Sequence, residues 1–138
     1  MYRKATVIKC SPDGKRCIAV DEQNYKAIIA FLTTDQRHKK KFKFITDTIL
    51  AGLRNPELYD KEEPDSKSKG VRAMKFFKGQ ENARIYCREV FNDDKIFVVI
   101  ASELLPRKKT QKIDAKILSI IHKVASYEYD EINFIEED

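Results

Sequence analysis

The sequence contains no long apolar run and few glycines or prolines. The longest apolar stretch, residues 96–101, is far shorter than the roughly 18 residues that cross a bilayer, and it fits a buried strand. With four glycines, four prolines and 42% apolar residues, the chain is neither collagen-like nor wholly disordered. Its first residues lead into no apolar segment with a cleavage site, so we expect no secretory signal and a cytoplasmic protein without a membrane partner.

Cysteine and histidine are also scarce. Cys10, Cys17 and Cys87 form no CxxC pair, so we expect neither a zinc site nor a disulfide scaffold. Cys10 and Cys17 flank a proposed turn and could face each other as reduced thiols. His38 and His122 are each followed by lysine and have no partner at a spacing suited to a metal or a nucleophile. The residues therefore predict no metal, no cofactor and no histidine catalysis.

Positive charge dominates everywhere except near the C-terminus. The chain has 27 Lys and Arg residues against 22 Asp and Glu residues, and none of the 27 follows Val124. Six acidic residues do follow it, so residues 1–123 carry a formal charge of +11. A basic body favours a polyanionic partner such as nucleic acid, although a lysine-rich solvated surface has the same composition. We expect the acidic tail, residues 127–138, either to be a solvated end or to fold back and screen a basic sheet.

Hydrophobic periodicity and turn residues divide the chain into elements. Two β-prone runs around a Pro-Asp-Gly turn predict an N-terminal hairpin at residues 5–20. Helical spacing of apolar residues predicts three helices, at residues 22–32, between Asp35 and Gly52, and at residues 111–126. Tight turns between β-prone runs predict an antiparallel meander of strands at residues 71–77, 83–91 and 95–104. Residues 54–70 are expected to form a solvated loop.

These elements indicate an α+β fold in a single domain spanning residues 1–138. Two N-terminal helices precede an antiparallel β-sheet core and a C-terminal helix. The N-terminal β-hairpin is an addition to that arrangement.

The second strand of the meander carries a candidate site. Because side chains alternate across a strand, Arg84, Tyr86 and Arg88 should share one face. Guanidinium groups match phosphate oxygens and a tyrosine ring can stack on a base, so the triplet predicts a nucleic-acid-binding face. A solvated face with Arg–Glu pairs is the alternative. The preceding strand should bring Lys75 near Tyr86 or Arg84, and it adds Arg72, Lys78 and two rings, Phe76 and Phe77, of which at least one belongs to the core.

Two basic runs extend this surface. Residues 107–112 lie between the last strand and the last helix, where a helix N-terminus and flanking cations favour an anion. We expect this run to contribute to the same site through Arg107, Lys108, Lys109 and Lys112. A second run, residues 37–43, lies on the outer face of the second helix and is expected to contact a nucleic-acid backbone.

The order of these segments resembles the RelE/ParE toxin superfamily, and within it the HigB-type toxins of type II toxin–antitoxin systems. The resemblance covers about residues 70–125 and depends on residues 74–76, residues 83–86 and the basic segment 107–112 before an amphipathic helix. It implies a RelE-like fold and a ribosome-dependent mRNA endonuclease, or mRNA interferase, neutralised by a cognate antitoxin. The partners would therefore be an antitoxin protein and mRNA on the ribosome.

The resemblance also implies roles for individual residues. Arg84 matches a strand arginine that contacts the scissile phosphate, and Lys75 lies where the preceding strand carries a basic catalytic residue. Lys108 and Lys109 fall in the basic segment after the last strand. The reaction would be attack of an RNA 2′-hydroxyl on the adjacent phosphate, with these lysines and Tyr86 as candidates for proton transfer. A ParE-like inhibitor of DNA gyrase and a non-catalytic nucleic-acid-binding domain are the alternatives.

Overall fold

Three α-helices and seven strands follow one another in the described part of the chain. The computed structural model describes residues 2–77, 82–106 and 114–134. The strands are β1 (Tyr2–Cys10), β2 (Arg16–Asp21), β3 (Tyr59–Lys61), β4 (Val71–Lys75), β5 (Arg84–Phe91), β6 (Phe97–Leu105) and β7 (Glu128–Phe134). The helices are α1 (Tyr25–Thr34), α2 (Gln36–Leu50) and α3 (Ala115–Ala125), and a short 3-10 helix covers Ser66–Ser68. Within the described part of the chain, no helix is long and apolar enough to span a membrane.

All seven strands belong to one mixed sheet in the order β3-β4-β5-β6-β2-β1-β7. The predicted antiparallel meander is confirmed as β4, β5 and β6. The predicted hairpin, β1 and β2, is also antiparallel, and Cys10 lies opposite Cys17 in it as expected. The hairpin is not an appendage, however, because β2 pairs in parallel with β6 and so continues the sheet. A parallel pairing requires a long connection, which the two helices after β2 help to supply.

Two strands were not predicted. β3 lies within residues 54–70, which the sequence predicts to be a solvated loop, and it pairs with β4. β7 lies in the acidic tail and pairs in parallel with β1, so both interpretations of the tail are wrong for Glu128–Phe134. An ion pair of 3.1 Å between Lys4 and Glu131 joins the two strands. Residues 135–138 lie outside the described residues.

The sheet has apolar layers on both faces. Helices α1 and α2 cover one face, where Ile28 and Ile45 are fully buried together with Met74 of β4. Helix α3 covers part of the other face and packs through Ile121 and Val124. The second predicted helix, between Asp35 and Gly52, is observed as α2, which ends at Leu50. A left-handed glycine with φ +73°, Gly52, then redirects the chain and leaves Leu53 67% exposed.

Candidate functional site

Lys75 and Arg84 lie directly opposite each other where β4 ends and β5 begins. The Lys75 ammonium donates a hydrogen bond to the carbonyl of Pro56 at 3.1 Å. The Arg84 guanidinium donates to the side-chain oxygen of Asn82 and, at 3.2 Å, to the carbonyl of Ala83. Like charges at directly opposed strand positions destabilise a sheet. A bound anion would relieve repulsion between the two cations.

Arg84 is partly buried without a carboxylate counter-ion at close range. Within residues 2–77, 82–106 and 114–134, no Asp or Glu oxygen lies within 4.0 Å of its guanidinium nitrogens. Burial lowers the pKa of Arg84 from its usual value, and the more distant Glu62 carboxylate acts in the opposite direction. The guanidinium still stays charged at neutral pH. Arg84 is therefore a poorly neutralised cation that a phosphate group would stabilise.

A cleft of about 290 Å³ adjoins this pair. Its lining residues come from α2, from the loop before β3 and from the β4–β5 region: Lys41, Glu57, Lys75, Phe76, Phe77 and Arg84. Lys41 belongs to the basic run 37–43, which the sequence predicts to be a separate backbone-contacting patch. Glu57 lies in the predicted solvated loop, and no sequence signal distinguishes it from other charges there. In the described part of the chain, the cleft thus combines three cations, one carboxylate and two aromatic rings.

Tyr86 is not at the surface. Its ring is fully buried between β4 and α3, and its hydroxyl has no hydrogen-bond partner among the described residues. Burial raises the pKa of this hydroxyl above its usual range. The alternation along β5 was predicted correctly, but the face that Tyr86 shares with its neighbours is covered by α3 rather than by solvent. The prediction of Tyr86 as a stacking surface for a base is therefore wrong.

Arg72 lies away from the cleft and is neutralised. Its Nη1 donates to Glu63 at 2.9 Å and its Nε donates to Glu89 at 3.3 Å. Because Arg72 and Lys75 are an odd number of residues apart on β4, their side chains point to opposite faces. The grouping of Arg72 with Lys75 in one nucleic-acid-binding surface does not hold in this fold.

Arg88 is also held by the protein itself. It lies opposite Val71, and its Nη1 donates to the carbonyl of Lys69 at 3.2 Å. Its Nε is buried and has no hydrogen-bond partner within residues 2–77, 82–106 and 114–134. Four strand residues, or about 13 Å, separate it from Arg84, so the two guanidiniums do not converge on one phosphate. The remaining predicted site residues lie outside the described residues: Lys78, Arg107, Lys108, Lys109 and Lys112.

Comparisons with known proteins identify no relative of this chain. No protein-family model matches the chain, and neither does any curated protein or solved structure. The contacts, burial and charges of the described residues are therefore the basis for a proposed function.

Proposed function

We propose that this protein is the toxin component of a type II toxin–antitoxin system, a ribosome-dependent mRNA endonuclease with a RelE-like fold. The observation that carries the proposal is the direct opposition of Lys75 and Arg84 beside a cleft. Two cations that repel each other in the free protein are stabilised when the phosphate of an RNA chain binds between them.

The order of the elements supports the same proposal. The helix pair α1–α2, the β4–β6 meander and α3 follow one another in the order that the resemblance implies, although β3 lies between α2 and β4, and β1, β2 and β7 are additional strands. Arg84 begins the middle strand of the meander, and Leu105 of β6 lies opposite it. The basic segment 107–112 begins two residues after Leu105 in the sequence.

The residues of the cleft suit a transesterification. In the reaction, the RNA 2′-oxygen loses its proton, attacks the adjacent phosphorus and displaces the 5′-oxygen, which takes up a proton. Arg84 would stabilise the charge that develops on the phosphate oxygens. The Glu57 carboxylate can accept the first proton, and the Lys75 ammonium can donate the second. Tyr86 takes no part in this scheme because its ring is sealed inside the protein.

Controlled expression in bacteria tests the proposal. The parent protein should stop growth and cut messages on ribosomes, and co-expression of its antitoxin should restore growth. Arg84→Gln should lower the rate of mRNA cleavage by about 100-fold or more, since it removes stabilisation of the transition state. Arg54→Gln is the matched control, because Arg54 is exposed and lines a different cavity. Thermal denaturation of each variant separates lost activity from lost folding.

Two results would contradict the proposal. An Arg84→Gln variant that cleaves as fast as the parent would show that Arg84 does not belong to the catalytic site. Intact transcripts with damaged DNA would favour a ParE-like gyrase inhibitor.

A non-catalytic nucleic-acid-binding domain is the second candidate function. The burial of Tyr86 favours it, because this leaves the described part of the site with one fewer proton donor than the sequence predicts. RNA binding that weakens with salt, without cleavage on ribosomes, would identify that function.

A further inference from the structure

An aromatic cluster forms one wall of the cationic cleft. Phe31 of α1 stacks on His38 of α2 at 4.0 Å between ring centroids, and Phe76 packs edge-on against Phe31 at 5.2 Å. The ring of Phe77, two residues beyond β4, lies 5.7 Å from His38. Phe76 is buried in the core, but Phe77 is only partly buried and lines the cleft. The cluster therefore holds Phe77 in place while leaving part of its ring accessible to a ligand.

Cations surround the accessible ring. Among the described residues, Lys41, Lys75 and Arg84 line the same cleft as Phe77, together with the carboxylate Glu57. The guanidinium carbon of Arg37 lies 5.7 Å from the centroid of the Phe77 ring, and this guanidinium is paired with Asp35 at 2.9 Å. A nucleotide presents a polyanionic phosphate and a flat base, and protein sites for single strands combine basic groups with stacking rings. Both kinds of group are present here within one cleft.

The size of the cleft restricts the ligand further. A volume of about 290 Å³ lies just below the range for small-molecule pockets, which begins at about 300 Å³. Such a space accommodates one nucleotide rather than a duplex. A base that stacks on a side chain must also be unpaired.

We propose that this cleft holds one unpaired nucleotide of a single-stranded RNA, with the phosphate between Lys75 and Arg84 and the base stacked on Phe77. This inference rests on the proposed function and adds a base-binding subsite to it. Because every base has a π-face, stacking gives little sequence specificity, and the larger face of purines should favour them over pyrimidines. The aromatic wall favours a nucleotide over an acidic peptide, because cations alone would suffice to bind the peptide.

A fluorescent oligonucleotide tests the inference directly. The probe is a short 2′-O-methyl oligouridine with one central 2-aminopurine, which cannot be cleaved through its blocked 2′-oxygens. Stacking quenches 2-aminopurine, and the protein contains no tryptophan to interfere. At low salt, the parent should bind the probe and quench it. Phe77→Leu should weaken binding roughly tenfold and abolish most of the quenching, whereas Phe77→Tyr should restore both.

Phe91→Leu is the matched control, because Phe91 is 72% exposed at the far end of β5 and should not affect the probe. Arg84→Gln should weaken binding and reduce its salt dependence. The inference is overturned if the parent does not bind the probe, if Phe77→Leu behaves like the parent, or if polyglutamate competes as well as the oligonucleotide. Growth arrest and mRNA cleavage are scored separately. Phe77-dependent binding by a non-toxic protein would therefore contradict only the proposed function, and a cleaving toxin without quenching would contradict only the base-binding subsite.

Discussion

The hydroxyl of Tyr129 donates a hydrogen bond of 2.7 Å to the carboxylate of Asp21, 108 residues earlier in the chain. The same carboxylate accepts from Arg3 at 2.6 and 3.0 Å, and both charged side chains are almost completely buried. The guanidinium of Arg3 in turn lies 3.8 Å from the centroid of the Tyr127 ring. The acidic tail is thus fastened to β1 and β2 through a buried ionic network rather than spread over the basic surface.

Removing the Asp21 charge should destabilise the protein strongly. Asp21→Asn leaves the buried Arg3 guanidinium without its neutralising carboxylate, and we expect the free energy of unfolding to fall by about 3–5 kcal/mol. Urea denaturation measures the loss. Glu131→Gln is the control on β7, because its ion pair with Lys4 is solvent-exposed and should be worth less than about 1 kcal/mol. Equal losses in the two variants would show that the buried network does not hold β7.

Reversing one charge of the Lys75–Arg84 pair should increase the stability of the protein while weakening its RNA binding. Lys75→Glu replaces a cross-strand repulsion by an attraction, so the free energy of unfolding should rise by up to about 1 kcal/mol. The same change should weaken RNA binding at least tenfold and make it less dependent on salt, since one phosphate contact is lost. Lys75→Gln should give intermediate values in both measurements. A Lys75→Glu variant that binds RNA like the parent would mean that the phosphate lies elsewhere.

A side chain at Gly70 should lower stability through the left-handed backbone and, to a smaller extent, through displacement of the Arg88 guanidinium. Gly70 has φ +89°, and a Cβ atom there would lie 2.5 Å from Nη1 of Arg88. Gly14 has φ +72°, and no atom lies within 4 Å of a Cβ built there. Gly14→Ala therefore measures backbone strain alone, which should lower the free energy of unfolding by about 1 kcal/mol. Gly70→Ala should lower the unfolding free energy by more than Gly14→Ala does, and adding Arg88→Ala should narrow the difference. An equal cost at the two glycines in chemical denaturation would rule out the clash with Arg88.

The cysteines should differ sharply in reactivity. Burial and the neighbouring Cys10 raise the pKa of Cys17 to about 12, so Cys17 remains a thiol in mildly alkaline solution. Cys87 is also fully buried, and burial raises its pKa. Because the thiolate is the reactive form, iodoacetamide near pH 8.5 should label only the exposed Cys10 in the native protein. Peptide mass spectrometry would show this, with urea-denatured protein as the fully labelled reference. Labelling of Cys87 in the native protein at the same rate as Cys10 would contradict the burial of Cys87.

Elements with a strong local pattern were predictable. The apolar residues of α2 and α3 repeat at helical spacing, and Asp35 accepts a hydrogen bond from the backbone N–H of Arg37 at the start of α2. The opposition of Lys75 and Arg84 follows from a short connection between two β-prone runs, which sets the register of β4 and β5. These features depend on neighbouring residues, so the sequence contains the information needed to infer them.

β3, β7 and the burial of Tyr86 were not predictable in the same way. β3 has three residues, and β7 is rich in acidic residues that are uncommon in strands. β7 is stabilised by β1 and Asp21, which are distant from it in sequence, and Tyr86 is buried by the separate helix α3. Lys41 and Glu57 were missed as cleft residues for the same reason, since only the packing of α2 and the loop before β3 beside β4 brings them there.

The amino-acid sequence alone determined the periodic helices, the meander, the facing cysteines and the concentration of positive charge, because each follows from local spacing and composition. Only the tertiary structure decided which of those charges are already neutralised by carboxylates and which aromatic rings line the cleft. Arg72 and Arg84 look alike in the sequence, yet one lies between two carboxylates and the other beside a cleft. The physical reason is that solvent access and electrostatic pairing depend on contacts between distant segments, which a linear pattern does not specify.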